Sequence, residues 1–337
     1  MAYEVFKRKW GVYGTGDGQF NSPMGINVYN DEVFVTDGAN YRVQVFGLDG
    51  TFKRKWGSQG SADGQFDRPH GIDVYNDEVF VIEYNNNRIQ VFGLDGTFKR
   101  KWGVYGTGDG QFDRPAGINV YNNEVFVADS ANNRIQVFGL DGTFKRKWGV
   151  YGTGDGQLDD PENINVYNDE VFASEYGNNR IQVFGLDGTF KRKWGVYGTG
   201  DGQFDSPTGI DVYNDEVFVV EEENARIQVF GLDGTFKRKW GVLGSGDGQL
   251  NYPFELDVYN DEVFVVDNYN DRIQVFGIDG TFKRKWGSYG SGDGEFGDAV
   301  GIDVYNSEVF VSDYDPDRIQ VFGKIGKPSH LTLMGVD

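Results

Sequence analysis

The sequence contains no cysteine, two histidines and no long hydrophobic run. Disulfides and thiolate chemistry are therefore excluded, and two imidazoles, His70 and His330, give a zinc site little support. No stretch approaches the ~18–20 apolar residues of a membrane span. The first ten residues, MAYEVFKRKW, lack the apolar segment of a secretory signal. We expect a soluble protein that has no membrane partner and is cytoplasmic rather than secreted.

Positive charge is also scarce, since the sequence has 32 Lys and Arg residues against 52 Asp and Glu residues and a net charge of −20. Most of the cations belong to fixed parts of a repeat, namely the KRK triplets and the arginine of the RIQVFG or RVQVFG segments. Binding of nucleic acid draws most of its affinity from several cations that contact phosphates. The charge therefore predicts no nucleic-acid partner and leaves RNA binding as a weak alternative.

The seven tryptophans recur at intervals of 46 residues, which identifies an array of seven repeats. In the repeat that covers residues 117–148, four short runs rich in Val, Ile, Phe and Tyr are separated by Asn and Gly turn residues. The runs are GINVY, EVFVA, RIQVF and FKRKW, here called strands a, b, c and d. This pattern predicts a four-stranded antiparallel meander.

A single meander cannot bury both of its faces, whereas twisted sheets stacked around an axis can. Seven copies of strand d exist only if the N-terminal copy, residues 4–11, is counted. We therefore predict an all-β, seven-bladed β-propeller whose N-terminal strand completes blade seven. One domain is expected over residues 1–323, and the tail, residues 324–337, is a candidate for an extra edge strand.

The pattern P-x-G-I-x-V followed by E-V-F-V-x-D-x-x-N-x-R-I-Q-V-F resembles the NHL repeat from Phe6 to about Gly323. The resemblance implies a β-propeller, although propellers of this family most often have six blades. Blade seven departs from the pattern, with GDAV in place of the proline segment and Pro316 in place of the asparagine. Some NHL domains bind RNA through a basic face, and similar six-bladed propellers are calcium-dependent lactonases.

The seven repeats differ from one another mainly in two places, just before strand a and in the loop between strands b and c. In an antiparallel meander both segments lie on the same face of the disc, around the mouth of the central channel. The exposed KRK triplets have not diverged, so selection or design for a varied surface explains the pattern better than loop drift. The position before strand a differs in all seven repeats: Met24, His70, Ala116, Glu162, Thr208, Phe254 and Val300.

This variable face is rich in tyrosine and glutamate, which suit contact with a neutral or basic partner. We predict a non-catalytic recognition module, monomeric and without a cofactor, that binds a protein, peptide or glycan. The predicted ligand-binding residues are Met24, Tyr41, Arg68, His70, Tyr84, Arg114, Glu162, Asn163, Tyr176, Glu222, Glu223, Tyr252, Phe254, Glu255, Tyr269 and Tyr314.

A calcium-dependent hydrolase is the main alternative, with Glu162, Asn163 and Glu255 as oxygen ligands at the channel mouth. Asn163 and Glu255 stand where the other repeats have glycine, but no general base stands out among the variable residues. A second set of carboxylates follows strand b, and an arginine lies five residues after each one. We interpret these as buried ion pairs rather than metal ligands; the carboxylates are Asp37, Glu83, Asp129, Glu175, Glu221, Asp267 and Asp313.

Overall fold

The computed structural model describes residues 4–324, which form 28 β-strands and three one-turn 3₁₀-helices, η1 (Gly38–Asn40), η2 (Ser130–Asn132) and η3 (Asn268–Asn270). Within that part of the chain, no helix has the length and apolar character needed to cross a membrane. The extra edge strand predicted for the C-terminal tail falls almost entirely on residues 325–337, outside the described residues.

The strands fall into four classes by their place in the blade. Strand a is β2 (Pro23–Tyr29), β6 (Pro69–Tyr75), β10 (Pro115–Tyr121), β14 (Pro161–Tyr167), β18 (Pro207–Tyr213), β22 (Pro253–Tyr259) or β26 (Ala299–Tyr305). Strand b is β3 (Glu32–Asp37), β7 (Glu78–Glu83), β11 (Glu124–Asp129), β15 (Glu170–Glu175), β19 (Glu216–Glu221), β23 (Glu262–Asp267) or β27 (Glu308–Asp313). Strand c is β4 (Arg42–Gly47), β8 (Arg88–Gly93), β12 (Arg134–Gly139), β16 (Arg180–Gly185), β20 (Arg226–Gly231), β24 (Arg272–Gly277) or β28 (Arg318–Lys324). Strand d is β1 (Glu4–Trp10), β5 (Phe52–Trp56), β9 (Phe98–Trp102), β13 (Phe144–Trp148), β17 (Phe190–Trp194), β21 (Phe236–Trp240) or β25 (Phe282–Trp286).

These strands form seven four-stranded antiparallel sheets, each in the order a, b, c, d. In the last sheet, β1 pairs with β28, so that Phe6 lies opposite Phe322 and Trp10 lies opposite Ile319. The predicted seven-bladed propeller, with its ring closed by the N-terminal strand, is therefore confirmed.

The turn between strands a and b follows the turn residues in the sequence. Asn122 and Asn123 have φ angles of 48° and 62°, which asparagine tolerates better than most residues and which a tight hairpin of this kind requires. Strand a begins two residues earlier than predicted, at Pro115, because an irregularity between Pro115 and Ile118 lets its first residues pair with the end of strand b.

The hydrophobic core lies between blades rather than within one blade. Phe126, Ile135 and Val137 of blade three pack against Ile164 and Val166 of blade four, and all five are buried. Each sheet thus buries its apolar face against the next sheet, and only a closed ring buries the faces of all seven sheets. The innermost strands of neighbouring blades also contact one another and leave a central channel.

The KRK triplet of strand d stabilises this scaffold. Arg146 donates from Nη1 to Glu124 Oε1 of its own blade at 2.9 Å and from Nε to the Leu186 carbonyl of the next blade at 2.6 Å. Lys145 and Lys147 are exposed, and the ammonium of Lys147 lies 2.6 Å from Asp109. The repeated cations are therefore used within the fold and do not form one continuous basic surface.

The carboxylates predicted to follow strand b are its last residues, and they form the buried ion pairs predicted for them. Asp129 accepts from Arg134 Nε at 2.7 Å and from the Asp113 N–H at 2.7 Å, and Arg134 also donates to the Thr107 carbonyl at 2.6 Å. Burial raises the pKa of Asp129, while the hydrogen bonds and the arginine charge oppose that rise. The pair holds the loop between blades in place and is a structural element rather than a ligand site.

Candidate functional site

The positions that differ most between repeats come together in one place. A cavity of about 300 Å³ opens at the mouth of the central channel, where the first residues of the seven inner strands meet. All seven of the variable positions before strand a line it: Met24, His70, Ala116, Glu162, Thr208, Phe254 and Val300. The comparison of repeats therefore located this cavity from the sequence.

The wall of the cavity is divided into an apolar part and a polar part. Blades seven, one and three contribute Val300, Met24 and Ala116, blade two contributes the imidazole of His70, and isoleucines of the same inner strands complete this part. Blades four and six contribute the carboxyl groups of Glu162 and Glu255, with the Asn163 amide and the Phe254 ring beside them. A ligand that fills the cavity thus meets mainly hydrocarbon on one side and both carboxyl groups on the other.

Asn163 and Glu255 face each other across blade five. The amide of Asn163 donates from Nδ2 to Glu255 Oε2 at 3.4 Å. Both occupy the position that is glycine in the other five repeats, and at Gly25 an added Cβ would lie only 2.5 Å from the His70 carbonyl. Gly209 stands at the same position in blade five, between them, and an added Cβ there would lie 2.9 Å from Glu255 Oε1.

The pKa values of both carboxyl groups in the cavity are raised above the ordinary glutamate value. Burial raises the pKa of Glu162 to about 7, and the negative charges of Asp160 and Glu222 act in the same direction. Burial likewise raises the pKa of Glu255 to about 7, opposed by the Leu256 N–H and assisted by the charge of Asp211. Near neutral pH each side chain is therefore able to gain or lose a proton when a ligand binds.

A second ring of polar residues, which sequence reasoning missed, lies further along the inner strands. Asp303 Oδ2 accepts the Val28 N–H at 2.6 Å, and Asp257 Oδ2 accepts the Val304 N–H at 2.7 Å, so each carboxylate joins its blade to the next. The sequence feature that marks this ring is a single Asn or Asp in every strand a, between an Ile or Leu and a Val. We call this set the channel ring: Asn27, Asp73, Asn119, Asn165, Asp211, Asp257 and Asp303.

Three neighbouring aspartates of the channel ring repel one another. The pKa of Asp257 lies well above its usual range because the group is buried and because Asp211 and Asp303 are close. Burial raises the pKa of Asp303 to about 6, with a further rise from the charge of Asp73. A row of buried carboxyl groups therefore extends from Glu255 into the channel on the side of blades five to seven.

A second cavity of about 380 Å³ adjoins the first and shares His70, Ala116 and Glu162 with it. It is also lined by Tyr84 and Arg114, and the Arg68 guanidinium lies 5.6 Å from the centroid of the Tyr84 ring. Burial, assisted by the charge of Arg68, lowers the pKa of His70 to about 4, so the imidazole is neutral at physiological pH.

The remaining predicted residues lie outside the first two cavities. Tyr41, Arg68 and Tyr314 line a third cavity of about 260 Å³, to which Met24 of the first cavity also contributes. Tyr252 and Tyr269 stack on each other and the Tyr252 hydroxyl contacts Glu223. The residues that line none of these three cavities are Tyr176, Glu222, Glu223, Tyr252 and Tyr269.

The predicted calcium ligands are not arranged as a ligand set. The side-chain oxygen of Asn163, Oδ1, accepts the Ile164 N–H at 2.8 Å, and its amide nitrogen faces Glu255. Across residues 4–324, no group of three or more His, Cys, Asp or Glu side chains is placed to hold a metal ion. We therefore derive no chemistry through a metal.

Several solved structures have a similar fold. A streptogramin B lyase is 16% identical with a TM-score of 0.74, and the match covers 96% of this chain and 98% of that one. A catalytically inactive virginiamycin B lyase from Staphylococcus aureus with Quinupristin is 17% identical with a TM-score of 0.73, over 96% and 99% of the two chains. BamB from Moraxella catarrhalis is 14% identical with a TM-score of 0.56, over 89% and 84%. Identities this low establish a common fold alone, and a comparison with curated proteins finds no match.

These structures correct one prediction from the sequence, that the protein is not an enzyme. The prediction of a recognition module relied on the tyrosine and glutamate residues of the variable face, yet two of these similar structures are lyases. The prediction also relied on the lack of a general base among the variable residues. Burial gives Glu162 and Glu255 pKa values of about 7, which suit proton transfer near neutral pH.

A family model described as DUF5128, a 6-bladed β-propeller, matches residues 15–101, 62–150 and 245–326, which together make up more than half of the chain. The resemblance to a propeller family is thus confirmed, whereas the finer assignment to the NHL repeat is not. The seven sheets of this chain exceed the six blades in the description of the family. The chain belongs to this β-propeller family, with seven blades around its channel.

Proposed function

We propose that the cavity at the channel mouth binds a small ligand, or one end of a larger ligand, that joins a hydrocarbon part to a cationic group. The observation that carries the proposal is the division of the cavity wall. Val300, Met24 and Ala116 offer apolar contact, and Glu162 and Glu255 offer carboxyl groups on the other side.

Electrostatics favour a cation over an anion in this cavity. Glu255 and Asp257 lie two residues apart on β22, and the charges of Asp211 and Asp303 add to theirs. A cationic group would allow these carboxyl groups to ionise and would offset their mutual repulsion. An anionic ligand would increase the same repulsion.

The proposal is tested with three probes that share one hydrocarbon chain and differ in the head group: hexylammonium, hexanol and hexanoate. We expect hexylammonium to bind most tightly and hexanoate most weakly, measured by calorimetry at pH 7.5. A hydrogen bond to a charged group contributes about 1.5–3 kcal/mol, so Glu255→Gln should weaken hexylammonium about tenfold or more and leave hexanol nearly unchanged.

Glu295→Gln is the matched control, because it removes the same charge in a connecting loop where the other six repeats have glutamine. Its hexylammonium affinity should equal that of the unaltered protein. Equal or tighter binding of hexanoate, or equal losses in the Glu255 and Glu295 variants, would contradict the proposal.

A second candidate function is acid–base catalysis on a ligand held in the same cavity. The pKa values of about 7 at Glu162 and Glu255 favour it, because a general acid or base works best when its pKa is near the operating pH. Elimination reactions, the class that lyases perform, require a base that removes a proton.

Quinupristin, present in one of the similar lyase structures, is a practical first substrate. If this candidate function is correct, mass spectrometry will show its conversion by the unaltered protein and a loss of at least about a hundredfold in Glu255→Gln, since general acid–base catalysis contributes 10²–10⁴-fold. Conversion that is unchanged in the variant would exclude Glu255 as the base. Failure of all conversion would count against this second function without affecting the binding proposal.

A further inference from the structure

An aromatic and acidic cluster lies beside the cavity on blades five and six, and the proposed function does not use it. The rings of Tyr252 and Tyr269 stack with their centroids 4.4 Å apart and their planes at 22°. The Tyr252 hydroxyl donates to Glu223 Oε2 at 3.2 Å. The Tyr269 side chain is 64% exposed, so one ring of the stack is open to a partner.

The scaffold does not require these side chains. Glu223 and Tyr269 occupy the same position of the b–c loop in successive blades, where blades one and three have Ala39 and Ala131. The counterparts of Tyr252 include Ser22 and Ser206 in other blades. Those blades fold with the same strands, so the stack adds nothing that the blade needs in order to form.

The backbone at Tyr252 also disfavours an aromatic residue. Its φ angle is 48°, in the left-handed region that bulky side chains rarely adopt. Ser22 and Ser206 have φ angles of 60° and 55°, so the connection itself imposes this conformation. A tyrosine kept at a position where the backbone disfavours it points to a use for the ring.

The charges around the stack are negative. The pKa of the Tyr252 hydroxyl is raised first by its hydrogen bond to Glu223, then by the charges of Glu223 and Glu222. Burial raises the pKa of Glu222, and the charge of Glu223 raises it further. Aromatic ring faces attract cations, and a carboxylate at the edge of the stack adds a hydrogen-bond acceptor.

We propose that Tyr252, Tyr269 and Glu223 form a second binding site, which takes the guanidinium group of an arginine side chain on a peptide ligand. A guanidinium is flat, so it can lie on the open face of Tyr269 while its N–H groups donate to Glu223. The ammonium of lysine is compact and strongly hydrated and gains less from such a surface. The site is separate from the cavity and does not depend on the function proposed for it.

The experiment uses the full chain and three capped tripeptides, Gly-Arg-Gly, Gly-Lys-Gly and Gly-citrulline-Gly, with binding followed by saturation-transfer NMR. Citrulline keeps the planar end group without its charge. We expect the arginine peptide to bind most tightly and the citrulline peptide most weakly. Tyr269→Ala should weaken the arginine peptide about three- to fivefold, in line with an exposed cation–π contact, and Glu223→Gln should also weaken it.

Two controls distinguish binding at this site from binding at another exposed tyrosine or in the cavity. Tyr105→Ala removes a tyrosine that is 71% exposed on a connecting loop and should leave binding unchanged. Glu255→Gln should also leave it unchanged, because Glu255 belongs to the cavity. The proposal is overturned if the citrulline peptide binds as well as the arginine peptide. It is overturned equally if Glu255→Gln abolishes binding while Tyr269→Ala does not.

Discussion

At the scale of single residues, the differences between repeats carry most of the information about the site. Met24, Glu162 and Phe254 were singled out because no two repeats share a residue at that position, and all three line the cavity. No feature of the sequence predicted the raised pKa values of Glu162 and Glu255. They depend on burial and on charges from other blades, which only the folded ring brings together.

A glycine on blade five offers a test of how the Glu255 carboxyl group is positioned. An added Cβ on Gly209 would lie 2.9 Å from Glu255 Oε1 and 3.0 Å from Val220, so Gly209→Ala should displace the carboxyl group. We expect hexylammonium to bind several-fold more weakly, because a displaced charge loses contact energy of about 1 kcal/mol. Calorimetry measures the change.

Gly71→Ala is the matched control for this variant. The position is equivalent in blade two, but the nearest atom to an added Cβ is the Ala116 carbonyl oxygen at 3.3 Å, and no carboxyl group is close. Its affinity for hexylammonium should remain near that of the unaltered protein. Equal losses in both variants would show that crowding at the inner strands, rather than the position of Glu255, controls binding.

At the scale of strands and blades, the sequence predicted the elements well and their inner contacts poorly. In the repeat of residues 117–148, strands b, c and d were predicted within one residue of their observed bounds, because β-branched and aromatic residues alternate with clear turn residues. The channel ring was missed because an Asn or Asp in a short strand is typical of an exposed position. Its inter-blade hydrogen bonds form only when neighbouring inner strands converge.

Asp257 provides a prediction about these inner strands. Its raised pKa means that ionisation disfavours the folded state, so the free energy of unfolding falls as pH rises above the ordinary aspartate pKa of about 4. Asp257→Asn keeps an oxygen that can accept the Val304 N–H and removes the charge, and the channel ring already has asparagine at three positions, Asn27, Asn119 and Asn165. We expect it to raise the free energy of unfolding by about 1–2 kcal/mol at pH 7.5.

Urea unfolding at several pH values measures this effect. The gain should shrink as pH falls toward about 4 and vanish below it, where the aspartate is protonated in both states. Asp169→Asn is the control, since the same turn position is Asn123 in blade three and the side chain is exposed. A variant that is less stable than the unaltered protein at pH 7.5 would show that the charged hydrogen bond outweighs the repulsion.

At the scale of the whole molecule, the net charge is −20, and the charged residues are distributed unevenly. Most cations are held in the scaffold, where Arg146 and Arg134 are typical of their sets, and Glu124 and Asp129 are their partners. Glu162 and Glu255 at the channel mouth and Asp257 in the channel ring have no cationic partner of this kind, and all three are buried. The fold was predictable because seven nearly identical repeats define one packing unit, whereas the potential inside the channel depends on which few blades differ.

The central claim is that the cavity selects a cation through carboxyl groups whose pKa is close to 7. The most direct measurement is the affinity for hexylammonium by calorimetry between pH 5.5 and 8.5, a range in which an alkylammonium stays protonated because its pKa is near the lysine value of about 10.4. Affinity should rise as pH increases through about 7, because ionisation of Glu162 and Glu255 supplies the charge that the ligand needs, and Glu255→Gln should reduce the rise. An affinity that is constant across this range, or that is higher at pH 5.5, would contradict the claim.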